Sequence, residues 1–412
     1  MDKVDKILVV LGACGIHACI GSVYAWSVLV HPIIEQTGWG LSSVTFAFSL
    51  AILFLGMSAG LLGRKVHKWG AKKSALISCA FFVTGLLGSA LALHLESIAL
   101  LYVSYGAIGG IGLGVGYISP VATLLKWFPE HKGFAGGCAV MSFGFAALVA
   151  GPLMSYLTTT YGLEQNFVIV AALYGVIMFA SSMLLKQPPK QENKYSEKEK
   201  KWYGECMNMP EAVHTPEFQL LWIMFFVNIA CGIALLSIAS PMAQKLGASA
   251  VDAATLVGTL GIVNGSGRLV SATMSDIIGR PISYILFFLI QVAAFGVLAM
   301  TRDYNLFFLA IIAVVFCYGG GFSCMPAYLS DLFGVRHLSA IHGAMLTAWG
   351  VAGIFGPLFL SFALEQTGNY KATMEFFIAL FVVNTMAAVK LKNSLRLARQ
   401  RKIMESVPYW DK

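Results

Sequence analysis

Charge is scarce in this chain: Asp, Glu, Lys and Arg make up 12% of its 412 residues, about half the share usual in soluble domains. Carboxylates are scarcest where the sequence is most apolar, and no Asp or Glu stands well inside any of its long hydrophobic runs. Also missing are CxxC pairs, zinc-ligand spacings, a P-loop and a nucleophile elbow, which leaves metal ligation, nucleotide hydrolysis and serine-hydrolase chemistry without support. The eight cysteines (Cys14, Cys19, Cys79, Cys138, Cys206, Cys231, Cys317 and Cys324) fall mostly within the apolar runs and read as small packing residues. Glycine-rich strings such as GAIGGIGLGVG (106–116) lie inside a hydrophobic run with no strand before them. They read as close helix packing rather than a nucleotide loop. The sequence calls for no metal and no cofactor, and it does not read as an enzyme.

What the chain has in abundance is apolar length. Hydrophobic residues are 58% of it, and a spanning helix needs roughly 20 of them in succession. Twelve runs qualify, at about 7–30, 43–63, 73–93, 98–121, 134–157, 166–186, 218–240, 253–275, 282–301, 306–327, 341–364 and 373–392. The first is too long for a cleaved leader and runs straight into the second, so it reads as a span. Assigning alternate connections to opposite faces puts 24 of the 28 Lys and Arg residues on one face. The other face receives only Lys245, Arg302 and Lys371, and Arg268 is left within a span. Such asymmetry places both termini and the central connection in the cytoplasm of a plasma (inner) membrane. The net charge of +8 therefore reads as orientation, with no role for nucleic acid. The expectation is a monomeric, multi-pass protein whose partners are the lipid bilayer and a small solute.

The only long polar segment, 187–217, carries prolines and charges without apolar periodicity and reads as a cytoplasmic linker, with room for one short amphipathic piece. It divides the chain into an N-terminal half (1–186) and a C-terminal half with a short tail (218–412), six spans in each. The halves echo one another. GRKVHKWGAKK (63–73) follows the second span and ATMSDIIGRPI (272–282) the eighth, so that Gly70 corresponds to Gly279. LLKWFPEHKGFAGG (124–137) is echoed by LSDLFGVRHLSAIHG (329–343), and AGPL (150–153) by FGPL (355–358). A repeat of six-span halves in parallel orientation implies a substrate site between them near the membrane midplane.

These residues carry a resemblance. Over its whole length the chain resembles the major facilitator superfamily, which implies an all-α membrane fold of twelve transmembrane helices in two pseudo-symmetric six-helix bundles. The superfamily signature between the second and third helices is matched by Gly70 and Lys72, but its acidic position is His67; the second copy keeps Asp276, Gly279 and Arg280. The resemblance implies a conformational role for these residues. The chain is similar in particular to the oxalate:formate antiporter family, relatives of the monocarboxylate transporters. That likeness rests on GSVYAWS (21–27), GVGY with KWFPEHKG (114–117, 126–133), NGSGR (264–268) with SDIIGR (275–280), CYGGGF (317–322) and DLFG (331–334).

Arg268 is the one charge set deep in a span. It lies about 6 Å from the middle of its run at 1.5 Å per residue. Arginine keeps its proton in proteins, and a charge at mid-membrane costs at least about 2.5–3.5 kcal/mol. With no carboxylate in the runs to neutralise it, an anionic cargo is the natural counter-ion, and a guanidinium fork suits a carboxylate. Asn264 stands one helical turn before Arg268 on the same face, with Gly261, Gly265 and Ser271 nearby, a small polar surface suited to a water-filled cavity. Aromatic residues within spans are usually plain packing. The resemblance, however, implies that Tyr24, Tyr117, Tyr318, Phe322 and Trp349 line the site.

Two departures narrow the reading. Where the oxalate transporter has a second cation, a lysine in its eleventh helix, this chain has Trp349. Where the monocarboxylate transporters carry a proton-coupling aspartate one turn before the arginine, it has Asn264. One cation beside an indole fits a small monoanion better than oxalate. His17, seven residues before Tyr24, is the candidate for proton coupling; a lone histidine in a span can equally sit neutral on a backbone carbonyl. The expected function is secondary active transport of small monocarboxylates of the lactate, pyruvate, formate or acetate type by alternating access. Anion exchange and proton-coupled symport both stay open. The alternatives are an oxalate:formate-type dicarboxylate antiporter and a facilitator exporting another small solute.

Overall fold

A chain this apolar must satisfy its backbone polar groups internally, and helices do so within each segment. The computed structural model describes residues 3–188, 206–367 and 370–406, and among them there is no strand. Most of the expected linker, 189–205, lies outside the described residues. The first span is built of α1 (Lys3–Ile20), a 3₁₀ segment (Gly21–Trp26) and α2 (Ser27–Thr37). Then comes α3 (Leu41–His94), two helices in succession that carry the second and third spans and meet at a kink at Gly70. The fourth span joins α4 (Ile98–Leu101), a π segment (Tyr102–Gly109) and α5 (Gly110–Trp127). Next are α6 (Lys132–Tyr161) and α7 (Leu163–Leu184). A short α8 (Met209–Val213), held by a capping box between Asn208 and Glu211, precedes the second bundle. That bundle contains α9 (Pro216–Lys245), α10 (Ala250–Ile278), α11 (Arg280–Met300), α12 (Tyr304–Phe333), α13 (Leu338–Thr367) and α14 (Tyr370–Ser406). Among the described residues these segments make twelve crossings, in two six-helix bundles.

The connections refine the expected spans. The second and third are divided, within the basic stretch 63–73, by a sharp break in α3 at Gly70, with φ 77° and ψ 175°. Lys and Arg are good helix formers, so a run of them need not end a helix that leaves the membrane. Gly279, the corresponding residue of the second half, has φ 87° and ends α10. A side chain is strained at either position, which is why glycine recurs in both copies. The first span also reaches Thr37, beyond its expected end near residue 30, and turns through a tighter 3₁₀ segment at the GSVYAW sequence.

The bundles meet along two seams, α3 against α13 and α6 against α10. We call the face where α1 begins and α14 ends the inner face. There Asp276, at the end of α10, accepts from the backbone N–H groups of Gly133 (2.9 Å) and Phe134 (3.0 Å), the free donors that open α6. Arg280 pairs with Asp276 and with Asp331 (3.2 Å), and Lys132 reaches Asp331 from the other bundle at 3.3 Å. Lys72 is exposed.

Candidate substrate site between the bundles

Asn264 and Arg268 project from adjacent turns of α10 toward α6 and α12. The Arg268 side chain is wholly buried. Its Nε donates to Asn264 Oδ1 at 3.1 Å and its Nη1 to the Val140 carbonyl of α6 at 3.2 Å. The Nη2 group has no acceptor among the described residues. The guanidinium carbon stands 4.9 Å from the Phe322 ring centroid and 5.8 Å from that of Phe143, within cation–π range of both. Two glycines make room for it: a Cβ added at Gly144 would come within 3.3 Å of Arg268 Cδ, and one at Gly319 within 3.3 Å of Cγ. An aspartate at position 264 would cancel the charge; the neutral amide takes one N–H and leaves the site positive.

Around the guanidinium the aromatic side chains form one cluster drawn from both bundles. Tyr117 of α5 is at its centre, with ring centroids 5.0 Å from His17, 5.4 Å from Phe143, 5.4 Å from Trp349, 6.0 Å from Phe322 and 5.9 Å from His342. Trp349 packs edge-on to Phe322 at 4.7 Å, and Tyr24 to Phe143 at 5.2 Å. Of the residues singled out in the sequence, Asn264, Arg268, His17, Tyr24, Tyr117, Tyr318, Phe322 and Trp349 are thus brought together. Tyr318 packs its ring on Gly232 of α9, its carbonyl accepts from Asn228 at 3.3 Å, and its side chain lies within electrostatic reach of Tyr24, Arg268 and Tyr117. The polar face of α10 is closed over by these rings, with Asn264 at 8% exposure, instead of lining an open aqueous hollow.

His17 Nδ1 lies 3.1 Å from the Ala13 carbonyl. A carbonyl can only accept, so this nitrogen carries the proton and a neutral ring turns the Nε2 lone pair toward the cluster. Several polar atoms here are buried without a partner among the described residues: His17 Nε2, Tyr117 Oη, Trp349 Nε1 and Arg268 Nη2. An unmet buried polar group costs on the order of 1–3 kcal/mol, so a polar guest that met several of them around the arginine would relieve that cost. Phe143, the Val140 carbonyl and His342 complete this wall and went unmarked in the sequence. Phe143 is one of 28 phenylalanines, a backbone carbonyl carries no residue signal, and His342 stands so near the start of α13 that it reads as an end-of-helix residue.

The chain matches the profile of the Major Facilitator Superfamily at residues 10–357 and 220–402. It is 29% identical over 356 residues to the uncharacterized MFS-type transporter YhjX of Escherichia coli (strain K12), covering 84% of this chain and 85% of that one. To the oxalate:formate antiporter of Oxalobacter formigenes it is 27% identical over 354 residues, 85% and 82% of the two chains. To monocarboxylate transporter 2 of Meriones unguiculatus it is 24% identical over 426 residues, 96% and 86%. Its fold is similar to that of the transporter FucP in the outward conformation, with a TM-score of 0.71 at 14% identity over 94% of this chain and 99% of the other. With twelve crossings in two bundles and a profile match spanning both, the chain is a multi-pass membrane transporter, not an enzyme, and belongs to the Major Facilitator Superfamily.

Proposed function

We propose that this protein is a secondary active carrier of small monocarboxylates, of the lactate, pyruvate, formate or acetate type. The observation that carries the reading is the set of unpartnered buried polar atoms, Arg268 Nη2, Tyr117 Oη and Trp349 Nε1 among them, at a site with no acidic neighbour among the described residues. A carboxylate supplies two acceptor oxygens to that set and a counter-charge to the guanidinium. Phe143, Phe322 and Trp349 restrict the guest to a small one, and Trp349, where a second cation would be needed, disfavours oxalate. The halves 1–186 and 218–412, tied by the linker 187–217, rock about this site as a monomer in the plasma (inner) membrane. The basic inner face, with both chain ends, is cytoplasmic. His17 is the residue placed to take a proton if the carrier is a symporter; without one, it exchanges anions.

A thermal-shift panel on the purified protein tests the assignment, because a ligand bound only to the folded form raises its melting temperature. Formate, acetate, lactate and pyruvate are expected to stabilise the wild type, oxalate less so, and none of them Arg268→Gln. Arg268→Lys keeps the charge without the fork and should bind about tenfold more weakly or worse. Equal stabilisation of the wild type and Arg268→Gln would sink the central role of the arginine.

A further inference from the structure

The face opposite the inner one is nearly stripped of positive charge, and what remains is gathered in one place. Lys245, Arg302 and Lys371, the three basic residues that the sequence assigns to that face, all line a single cavity of about 650 Å³. Four helix ends meet there: the last residues of α9 and α11 and the first of α12 and α14. Basic residues on such connections oppose the usual charge asymmetry of membrane proteins. Chance would scatter three of them over six connections. The cavity is amphipathic. Met242, Leu298 and Phe307 form its buried floor, while Lys245, Arg302 and Lys371 stand exposed around its mouth. Lys245 Nζ lies 5.2 Å over the Tyr370 ring. Of the neighbouring carboxylates, Asp303 caps α12 through the Leu306 N–H at 2.9 Å, and Glu375 lies 3.8 Å from Lys371. Met300, 81% exposed, also lines the cavity.

We propose that this cavity binds the phosphate headgroup of an anionic phospholipid in the leaflet opposite the inner face. The Arg302 fork and the two ammonium groups take the phosphate oxygens, and the floor takes the glycerol backbone and first methylenes. Helix ends sit at headgroup depth in a bilayer. A free phosphate would match the cations but leave most of a cavity this large, and its apolar floor, unfilled. The site is remote from Arg268 and does not depend on what the carrier moves.

Native mass spectrometry of the delipidated protein in detergent, titrated with phosphatidylglycerol or phosphatidylcholine, provides the test. One preferential phosphatidylglycerol adduct is expected, retained in Arg268→Gln. It should be weakened roughly a hundredfold in the variant Lys245→Gln, Arg302→Gln, Lys371→Gln, since each basic group near a lipid surface contributes about a factor of five. The three substitutions are on the surface, and an unchanged melting temperature without lipid would show the variant folded. Equal adducts with both lipids, or an undiminished adduct in the triple variant, overturn the proposal. So does binding of glycerol 3-phosphate without phosphatidylglycerol, which would make the ligand a soluble phosphate.

Discussion

At the scale of single residues, the proposed role of the central cluster makes its number of cations decide how many carboxylates it holds. Arg268 has Phe143 and Phe322 against its guanidinium and Asn264 as its only side-chain acceptor among the described residues. Trp349 occupies the position opposite, wholly buried, with its Nε1–H unmet. An indole can donate one hydrogen bond and cannot balance a second negative charge. Replacing it by lysine tests this reading directly. In Trp349→Lys the preference for oxalate over formate should rise by tenfold or more, the worth of about one charge-assisted hydrogen bond. The unliganded variant should melt lower than the wild type, because its new ammonium is buried without a partner, and oxalate should restore much of the loss. A competition series in the thermal-shift assay measures both. An unchanged ranking of oxalate and formate would mean that Trp349 does not face the guest.

Among the elements, the two copies of the inner-face motif differ in how they can be opened. The second copy is a network of permanent charges, Asp276, Arg280, Asp331 and Lys132, that holds α10 to α6 and α12. The first puts His67 of α3 beside His337, just before α13, with ring centroids 5.1 Å apart. Arg64, Lys68, Asn208 and Met209 surround the pair, Lys126 and Arg336 add positive charge, and Glu211 opposes it from α8. Burial, then Lys126, His337 and Arg336, push His67 down to about 4 while the seam is closed. Once the seam opens the imidazole is hydrated and returns toward about 6.5. The closed form thus binds fewer protons, so its advantage is complete above about pH 6.5 and shrinks as pH falls toward 4. Acidifying the inner face from pH 7.5 to 5.5 should favour opening by at most about tenfold, less screening because His67 is half-exposed. Spin-label distances between the inner ends of α3 and α13 would report this, with His67→Asn less sensitive to pH than the wild type and the double variant His67→Asn, His337→Asn insensitive. A pH-independent distance distribution in the wild type would exclude the latch. This element also shows where sequence reading stops. The twelve runs and their order were legible because a bilayer imposes length and hydropathy. How far the two helices of α3 run into the basic stretch before they meet at Gly70 was not, since charge marks the membrane surface but not the end of a helix. The pairing of His67 with His337 joins positions far apart in sequence and follows only from the packing of α3 on α13.

For the whole molecule, the central charge limits which transitions are fast. Arg268 stands out in the sequence because its energetic cost has no carboxylate within the apolar runs to offset it. The wall around it does so only in part, since Phe143 and the Val140 carbonyl come from α6 of the other bundle and carry no mark of their own. On the proposed alternating access the two bundles share this site, and rocking one against the other passes the guanidinium through a closed arrangement like the present one, in which it is wholly buried. Empty, the site carries one uncompensated positive charge at low dielectric; loaded with a monocarboxylate, it is neutral. A buried ion without its partner is disfavoured by several kcal/mol, so the loaded transition should outpace the empty one. In reconstituted vesicles, internal lactate should therefore accelerate uptake of labelled lactate by tenfold or more over vesicles without internal anion. If His17 takes a proton through its free Nε2, the empty and loaded sites instead carry equal charge. Uptake then needs no internal anion, follows an imposed pH gradient, and loses that dependence in His17→Gln. The two outcomes exclude one another, and both require that Arg268→Gln abolish carrier-mediated lactate flux; persistence of that flux would refute the charge argument itself.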